Sequence, residues 1–349
     1  MRIAQVAPLF ERVPPVTYGG TERVVAYLTD ALVELGHDVT LFASGDSLTR
    51  ARLVSAAPQS LRLDTTLRDT MAPQIRELEL VSRMAHRFDV IHFHTGFLHL
   101  PLARHLAPPS VTTMHGRLDS DELTPLMKDF SDAPFVSISN HQRRPYPSQN
   151  WCATVYHGLP PRLLPCRETP EQYVAFIGRI SPEKRVDRAI EIARRAGMEL
   201  RIAAKIDAAD KEYFEREIAQ LMDQPHVRYL GEIGEEDKAV LLGGARALLF
   251  PIDWPEPFGL VQIESLACGT PVVAFRGGSV AEIIDPGVTG FIVECIDDAV
   301  EAVRSIDGID RGACRLAFEQ RFSSTRMAQD YVELYQQLLA EDLAANLVA

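Results

Sequence analysis

Cysteine is scarce in this chain and carries no pattern: Cys152, Cys166, Cys268, Cys295 and Cys314 are scattered over 349 residues, with no Cys-x-x-Cys spacing. That speaks against a disulfide framework and against a zinc module, and a reducing, cytoplasmic setting is expected. Basic charge is also short, with 36 Lys and Arg against 48 Asp and Glu, for a formal net charge of -12. Such a surface repels nucleic acid and anionic lipid at long range, so no nucleic-acid partner and at most peripheral membrane contact are expected. Long apolar runs are missing as well: none reaches the roughly 18 residues that cross a bilayer. The opening MRIAQVAPLFER is interrupted by Glu11 and Arg12, unlike a secretory signal. Neither a repeat of solenoid length nor a low-complexity segment is found.

What is present is the composition of a packed fold, 46% hydrophobic and 24% charged, in a chain too long for one ordinary core. Short β-branched runs at 2–7, 38–43, 89–94, 110–115, 135–139 and 153–157 read as buried parallel strands. Amphipathic stretches separate them, the clearest at 21–35. Residues 158–172 hold four prolines without periodicity and are read as a linker. The pattern then restarts, with strands at 172–178, 199–204, 226–231, 246–251, 271–275 and 289–294 and helical segments such as 208–222. Strand and helix alternating twice over predicts an α/β protein of two doubly wound domains facing a cleft. A last helix over 323–345, with Met327, Tyr331, Leu334, Tyr335 and Leu338 on its apolar face, is expected to cross back onto the first domain.

Ligands of open parallel sheets bind at strand exits, so those loops are where chemistry is sought. Gly19 and Gly20, just before the first helix, suit either a phosphate seat or a plain turn. Arg179 ends a strand and Lys184 follows at an expected helix start, where two cations can hold a diphosphate; a solvated basic turn is the alternative and suits Arg185 and Arg188. The stretch DWPEPFGLVQIESLACGTPVVAF (253–275) sets Glu256 and Glu264 among apolar residues, Gly and Pro. A carboxylate there is either paired or reserved for a polar ligand, because alone and desolvated it costs several kcal/mol. Sugar hydroxyls on Glu256, ribose hydroxyls on Glu264 and a phosphate at the N–H groups of Phe258, Gly259 and Leu260 form one reading; a capping carboxylate with a buried salt bridge is the other.

The glycine loop, GRISPEK (178–184), the Glu pair in EPFGLVQIESLACGTPVVA and GGSVAEIIDPGVTGFIV (277–293), in that order over almost the whole chain, resemble the retaining family-four glycosyltransferases with the GT-B fold. The resemblance implies an N-terminal Rossmann-like acceptor domain over 1–160, with helix 326–349 packing back on it, and a donor domain over 161–325. It implies transfer of a sugar from a nucleoside diphosphate sugar to a hydroxyl acceptor with retention. Gly19 and Gly20 would approach the donor phosphates, and Arg179 and Lys184 would clamp them. Glu256 would bind the donor sugar with Phe258, Gly259 and Leu260, Glu264 would hold the ribose, and His115 would reach the donor sugar from the first domain. Departures at VYHGL (155–159) and SISNHQRR (137–144) leave His157 and Asn140 unassigned.

Arg179 and Lys184, charged near neutral pH, would stabilise the leaving diphosphate, so neither a metal nor any other cofactor is expected. Asp119 and Asp121 form an Asp-x-Asp, the mark of metal-dependent transferases of another fold; in a polar loop before a helix they read as capping acids. A sugar-nucleotide epimerase and a non-catalytic sugar-nucleotide-binding module are the other readings, while a dehydrogenase is disfavoured by the lack of Gly-x-Gly-x-x-Gly after any strand. Uracil is the expected base, although no side chain selects it. Arg83, His86, Arg87, Arg143 and Arg144 read as solvated faces rather than a lipid site.

Overall fold

The computed structural model describes residues 1–16 and 19–348. They divide into two compact units, Met1–Gly158 with Ser324–Ala349, and Leu159–Ser323.

Among the described residues the first unit carries a seven-stranded parallel sheet: β1 (Arg2–Val6), β2 (Asp38–Ala43), β3 (Arg52–Ser55), β4 (Val90–Phe93), β5 (Ser110–Thr113), β6 (Phe135–Ser137) and β7 (Trp151–Thr154), in the order β3-β2-β1-β4-β5-β6-β7. The reversal of direction between β1 and β4 makes their exits the switch point of this sheet. Strands covered on both faces read as unbroken apolar runs, and Ile3, Ala4, Val6, Ile91 and Phe93 are fully buried. Helices α1 (Gly20–Glu34) and α2 (Met71–Met84) set Val25, Leu28, Leu78 and Val81 against the sheet. The C-terminal helix, Ser324–Val348, belongs to this unit, contacts α1, and buries Met327, Tyr331, Leu334, Tyr335 and Leu338. Two details differ from expectation. Strand β3 escapes the sequence reading because RLVS is short and, at the sheet edge, only partly covered. Strand β7 starts two residues early and ends at Thr154, and Val155–His157 continue as loop with Val155 and His157 buried.

The second unit carries a six-stranded parallel sheet: β8 (Tyr173–Arg179), β9 (Glu199–Lys205), β10 (Val227–Gly231), β11 (Ala247–Phe250), β12 (Val272–Phe275) and β13 (Gly290–Val293), ordered β10-β9-β8-β11-β12-β13. Its switch point lies between β8 and β11. The helices that matter here are α3 (Val186–Ala196), α4 (Glu235–Gly244), α5 (Leu260–Ala267) and α6 (Arg311–Arg321). The helix expected over 208–222 is broken into short pieces around a π turn, Phe214–Ile218, whose wider winding brings Ile218 into the core. The proline-rich stretch expected as a linker is instead fixed to this unit. Leu159 and Leu164 are buried. Arg315 on α6 donates to the carbonyls of Leu164 (2.8 Å) and Pro161 (2.6 Å), and Arg311 to that of Arg167 (2.7 Å). Those arginines lie about 150 residues away in sequence, so local pattern gives no sign of the anchoring.

Candidate active site

The loops leaving β8, β11 and β12 converge at the switch point of the second unit. Strand β8 ends on Arg179, and the expected helix start proves to be a single 3-10 turn, Pro182–Lys184; Arg185, in the left-handed conformation, precedes α3. Lys184 is therefore on a rigid connector rather than on the helix. The guanidinium of Arg179 pairs with Glu183 on its own turn, and with Asp210 (3.3 Å) and Asp207 (3.7 Å) beyond β9. Arg185 and Arg188 share Asp253 (2.8 and 3.1 Å), and the Asp253 backbone N–H donates to the Glu183 carbonyl (2.8 Å), tying the connector to the loop after β11. The basic turn is thus held by acids on several sides, not solvated as its sequence alternative required.

Glu256 and Glu264 are both buried. The Lys184 ammonium bonds Glu256 Oε2, and the indole N–H of Trp254 donates to the same oxygen (2.8 Å). The Lys184 ammonium also sits 4.8 Å from the Trp254 ring centroid. Two expected site residues are therefore partners, and the carboxylate aims the cation. Glu264 on α5 accepts from Lys238 on α4 through Oε1 (2.7 Å), and Lys238 also reaches Glu235 (2.9 Å). Both carboxylates are thus in buried ion pairs, and neither caps α5 with its side chain, so only the salt-bridge half of the capping alternative is seen.

Residues 253–259 are clamped by the turn after β12. Gly278 has φ of 53°, and a Cβ there would stand 2.1 Å from the Glu256 carbonyl oxygen and 2.4 Å from its nitrogen. Ser279 donates from its hydroxyl to the Phe258 carbonyl (2.7 Å) and from its backbone to the Glu256 carbonyl (3.0 Å). Gly259 then leads into α5, whose first residue is Leu260. The first turn of α5 lacks intrahelical partners for its N–H groups, as any helix start does.

In the first unit Gly19 and Gly20 open α1, and His115 lies at the exit of β5. His115 ends a hydrogen-bonded relay that the sequence reading missed. Gln5 Nε2 donates to the Tyr335 hydroxyl (3.0 Å), and the Gln5 carbonyl oxygen accepts from His94 Nε2 (2.8 Å). With its proton on Nε2, a neutral His94 accepts at Nδ1 from His115 Nε2 (2.8 Å). His115 Nδ1 is then an acceptor, buried and without a hydrogen-bond partner among the described residues. His157 stacks on His115 with ring centroids 5.2 Å apart. Asn140 lies away from the relay, beside Thr154 and Tyr156. Asp119 is held by Arg117 through two bonds (2.6 and 2.7 Å), so the Asp-x-Asp motif is half consumed by an ion pair.

Burial holds His99 and His115 down at about 3, and His92, His94 and His157 well below the usual imidazole range. A folded pKa below the unfolded value of about 6.5 means stability that is full above pH 6.5 and lost as pH falls toward 3. Burial pushes Glu77 the other way, so it opposes this trend. The melting temperature is expected to fall steadily from pH 7 to pH 4.5, and less steeply in His99→Gln. Equal slopes for the two proteins would contradict the assignment.

The sequence signals for Lys238, Asp207 and Asp210 were weak, since they reach the site from another helix and from the loop after β9, whereas Trp254 lies two residues from Glu256 in the stretch already singled out. For Gly278 the Gly-Gly-Ser run was itself the signal.

Comparison with known proteins bears on both units. The Glycosyltransferase Family 4 model matches residues 18–163 and the Glycosyl transferases group 1 model residues 167–309. The chain is similar to AviGT4, a glycosyltransferase involved in avilamycin A biosynthesis, at 26% identity and a TM-score of 0.74 over 97% of this chain and 98% of that one. It is 27% identical to the glycogen synthase of Mycobacterium tuberculosis over 91% of this chain and 89% of that protein. It is also 27% identical to the O-antigen chain mannosyltransferase B of Escherichia coli over 54% of this chain, but spans only about half, 52%, of that relative. With one family model on each doubly wound unit and a transferase structure superposing along nearly the full length, the chain belongs to the family 4 glycosyltransferases of the GT-B fold.

Proposed function

We propose that the chain moves a hexosyl group from a nucleoside diphosphate sugar, a UDP-sugar first and GDP-mannose second, to a hydroxyl of a saccharide, glycan or lipid-linked sugar, with retention and without a metal. The observation that carries the reading is the pair of buried carboxylates at one switch point, each with its own lysine: Glu256 with Lys184 and Glu264 with Lys238. Glu264 uses one oxygen on Lys238, and its other oxygen is assigned to the ribose hydroxyls. Glu256 is assigned to hydroxyls of the donor sugar. Arg179, Lys184 and the first turn of α5 receive the diphosphate. A neutral His115 suits a hydrogen bond from a sugar hydroxyl.

As the bond from the anomeric carbon to the phosphate oxygen breaks, negative charge grows on the diphosphate, and fixed cations stabilise it where it develops. The acceptor oxygen bonds to the anomeric carbon on the face the diphosphate leaves, and its proton passes to the departing phosphate. No side chain need be a strong base. The engagement of Asp119 by Arg117 supports the metal-free reading, since that carboxylate is already committed.

Incubation with UDP-glucose, UDP-galactose, UDP-N-acetylglucosamine and GDP-mannose and a panel of methyl glycosides tests the proposal. Nucleoside diphosphate is expected only with an acceptor present, with an anomeric proton coupling that matches the donor and a rate unaltered by EDTA. Inverted coupling overturns retention. Activity lost with chelator and regained with Mn²⁺ overturns metal independence, and an altered donor sugar formed without acceptor points to an epimerase.

A further inference from the structure

The first unit contains a cavity of about 260 Å³ at its own switch point, between the exits of β1, β4 and β5 and helix α2. Its wall includes Phe10, Gln74, Glu77, Thr95, Phe97 and Arg117. Glu77 stands out because it is 3% exposed. Its Oε1 has no hydrogen-bond partner among the described residues, and no described cation pairs with it. A buried polar atom without a hydrogen-bond partner is costly unless a ligand supplies one.

The geometry points to this cavity as the acceptor pocket, with Glu77 as the group that recognises a hydroxyl of an uncharged, hydroxyl-rich acceptor, a monosaccharide unit or cyclic polyol rather than a phosphorylated or carboxylated one. This rests on the transferase reading above and narrows its acceptor. Desolvation pushes the Glu77 carboxyl well above the usual carboxylate range and so favours its protonated form, which donates through its O–H and accepts at its carbonyl oxygen, the two roles a sugar hydroxyl complements. The other charged or titratable groups on the wall do not favour an anion. His94 and His115 are neutral, and Arg117, exposed, already holds Asp119 in a bidentate pair. Among the wall residues Arg117 is the one cation, and it is on the exposed rim rather than against Glu77. Phe10 and Phe97 add aromatic surface to the wall, of the kind sugar C–H groups pack on, and the volume suits one ring rather than an oligosaccharide.

The test uses the full chain saturated with UDP and follows binding by saturation-transfer NMR and calorimetry. The probes are methyl α-glucoside, methyl α-mannoside and myo-inositol, set against glucose 6-phosphate, mannose 6-phosphate and glucuronate. At least one uncharged probe is expected to bind, with its charged counterpart about tenfold weaker or worse. Glu77→Gln, which keeps the shape and polarity of the protonated acid, should stay within about threefold, while Glu77→Leu should lose about tenfold. Phe10→Ala, at an exposed position, gives a second route should Glu77→Leu fold poorly, and is expected to weaken the same probe. UDP titrated into each variant separates the two proposals: UDP binding lost in the unmutated chain counts against the donor site, not against this pocket. With UDP bound, tighter binding of a phosphorylated or carboxylated probe, unchanged binding in Glu77→Leu and in Phe10→Ala, or no binding of any uncharged probe overturns the assignment.

Discussion

Lys184→Ala is expected to lower kcat by about 100- to 1,000-fold while changing donor binding only a few-fold, the scale seen when one preorganised group at a developing anion is removed. The reason lies in what holds the ammonium. Glu256 bonds it and the Trp254 ring flanks it, so it stands in place before the diphosphate charge develops. Glu264→Ala should show the opposite division, with KM raised and kcat less affected, because a ribose contact is made equally before and during the reaction. Steady-state kinetics on the two variants with one donor checks both. Equal losses in binding alone, with kcat untouched in Lys184→Ala, would remove Lys184 from the chemistry.

The second large effect is on stability. Lys238→Ala leaves Glu264 buried without its partner, and breaking such a pair from one side costs about 3–5 kcal/mol. Adding Glu264→Gln to the same protein removes the stranded charge and should recover most of the loss. Urea unfolding of the single and double variants measures this. A single variant within about 0.5 kcal/mol of the parent, the ordinary range for surface changes, would mean that the pair contributes little.

The sheets were legible because parallel strands covered on both faces leave continuous β-branched runs, as in RIAQVA and DVTLFA. The C-terminal helix was legible for the same kind of reason: Met327, Tyr331, Leu334, Tyr335 and Leu338 mark one face at helical spacing. Strand β3 and the π turn at Phe214–Ile218 were not, since a half-covered edge and a local change of winding leave no periodic trace. At the site, Glu256 and Glu264 drew notice because charge in an apolar stretch needs a cause. Their neutralising partners divide by local setting, not by distance in sequence, since Lys184 lies farther from Glu256 than Lys238 does from Glu264. Lys184 was found through its own loop, whereas Lys238 sits on an ordinary helix, EEDKAVLLGG, where nothing separates a buried lysine from a solvated one. Glu77 was hidden in the same way, on α2 among other charged residues, because whether a helix position faces solvent or a cavity is decided by what packs over it. The Gln5–His94–His115 relay joins three strand ends that only the sheet order brings together.

Titration calorimetry with UDP and GDP, on the parent chain and on Glu264→Ala, addresses the donor site most directly. The expected result is one-site binding of at least one of the two nucleotides by the parent, weakened about tenfold or more in the variant. Absence of heat with either nucleotide, or an affinity that Glu264→Ala leaves unchanged, would contradict the assignment of the paired carboxylates to a nucleoside diphosphate sugar.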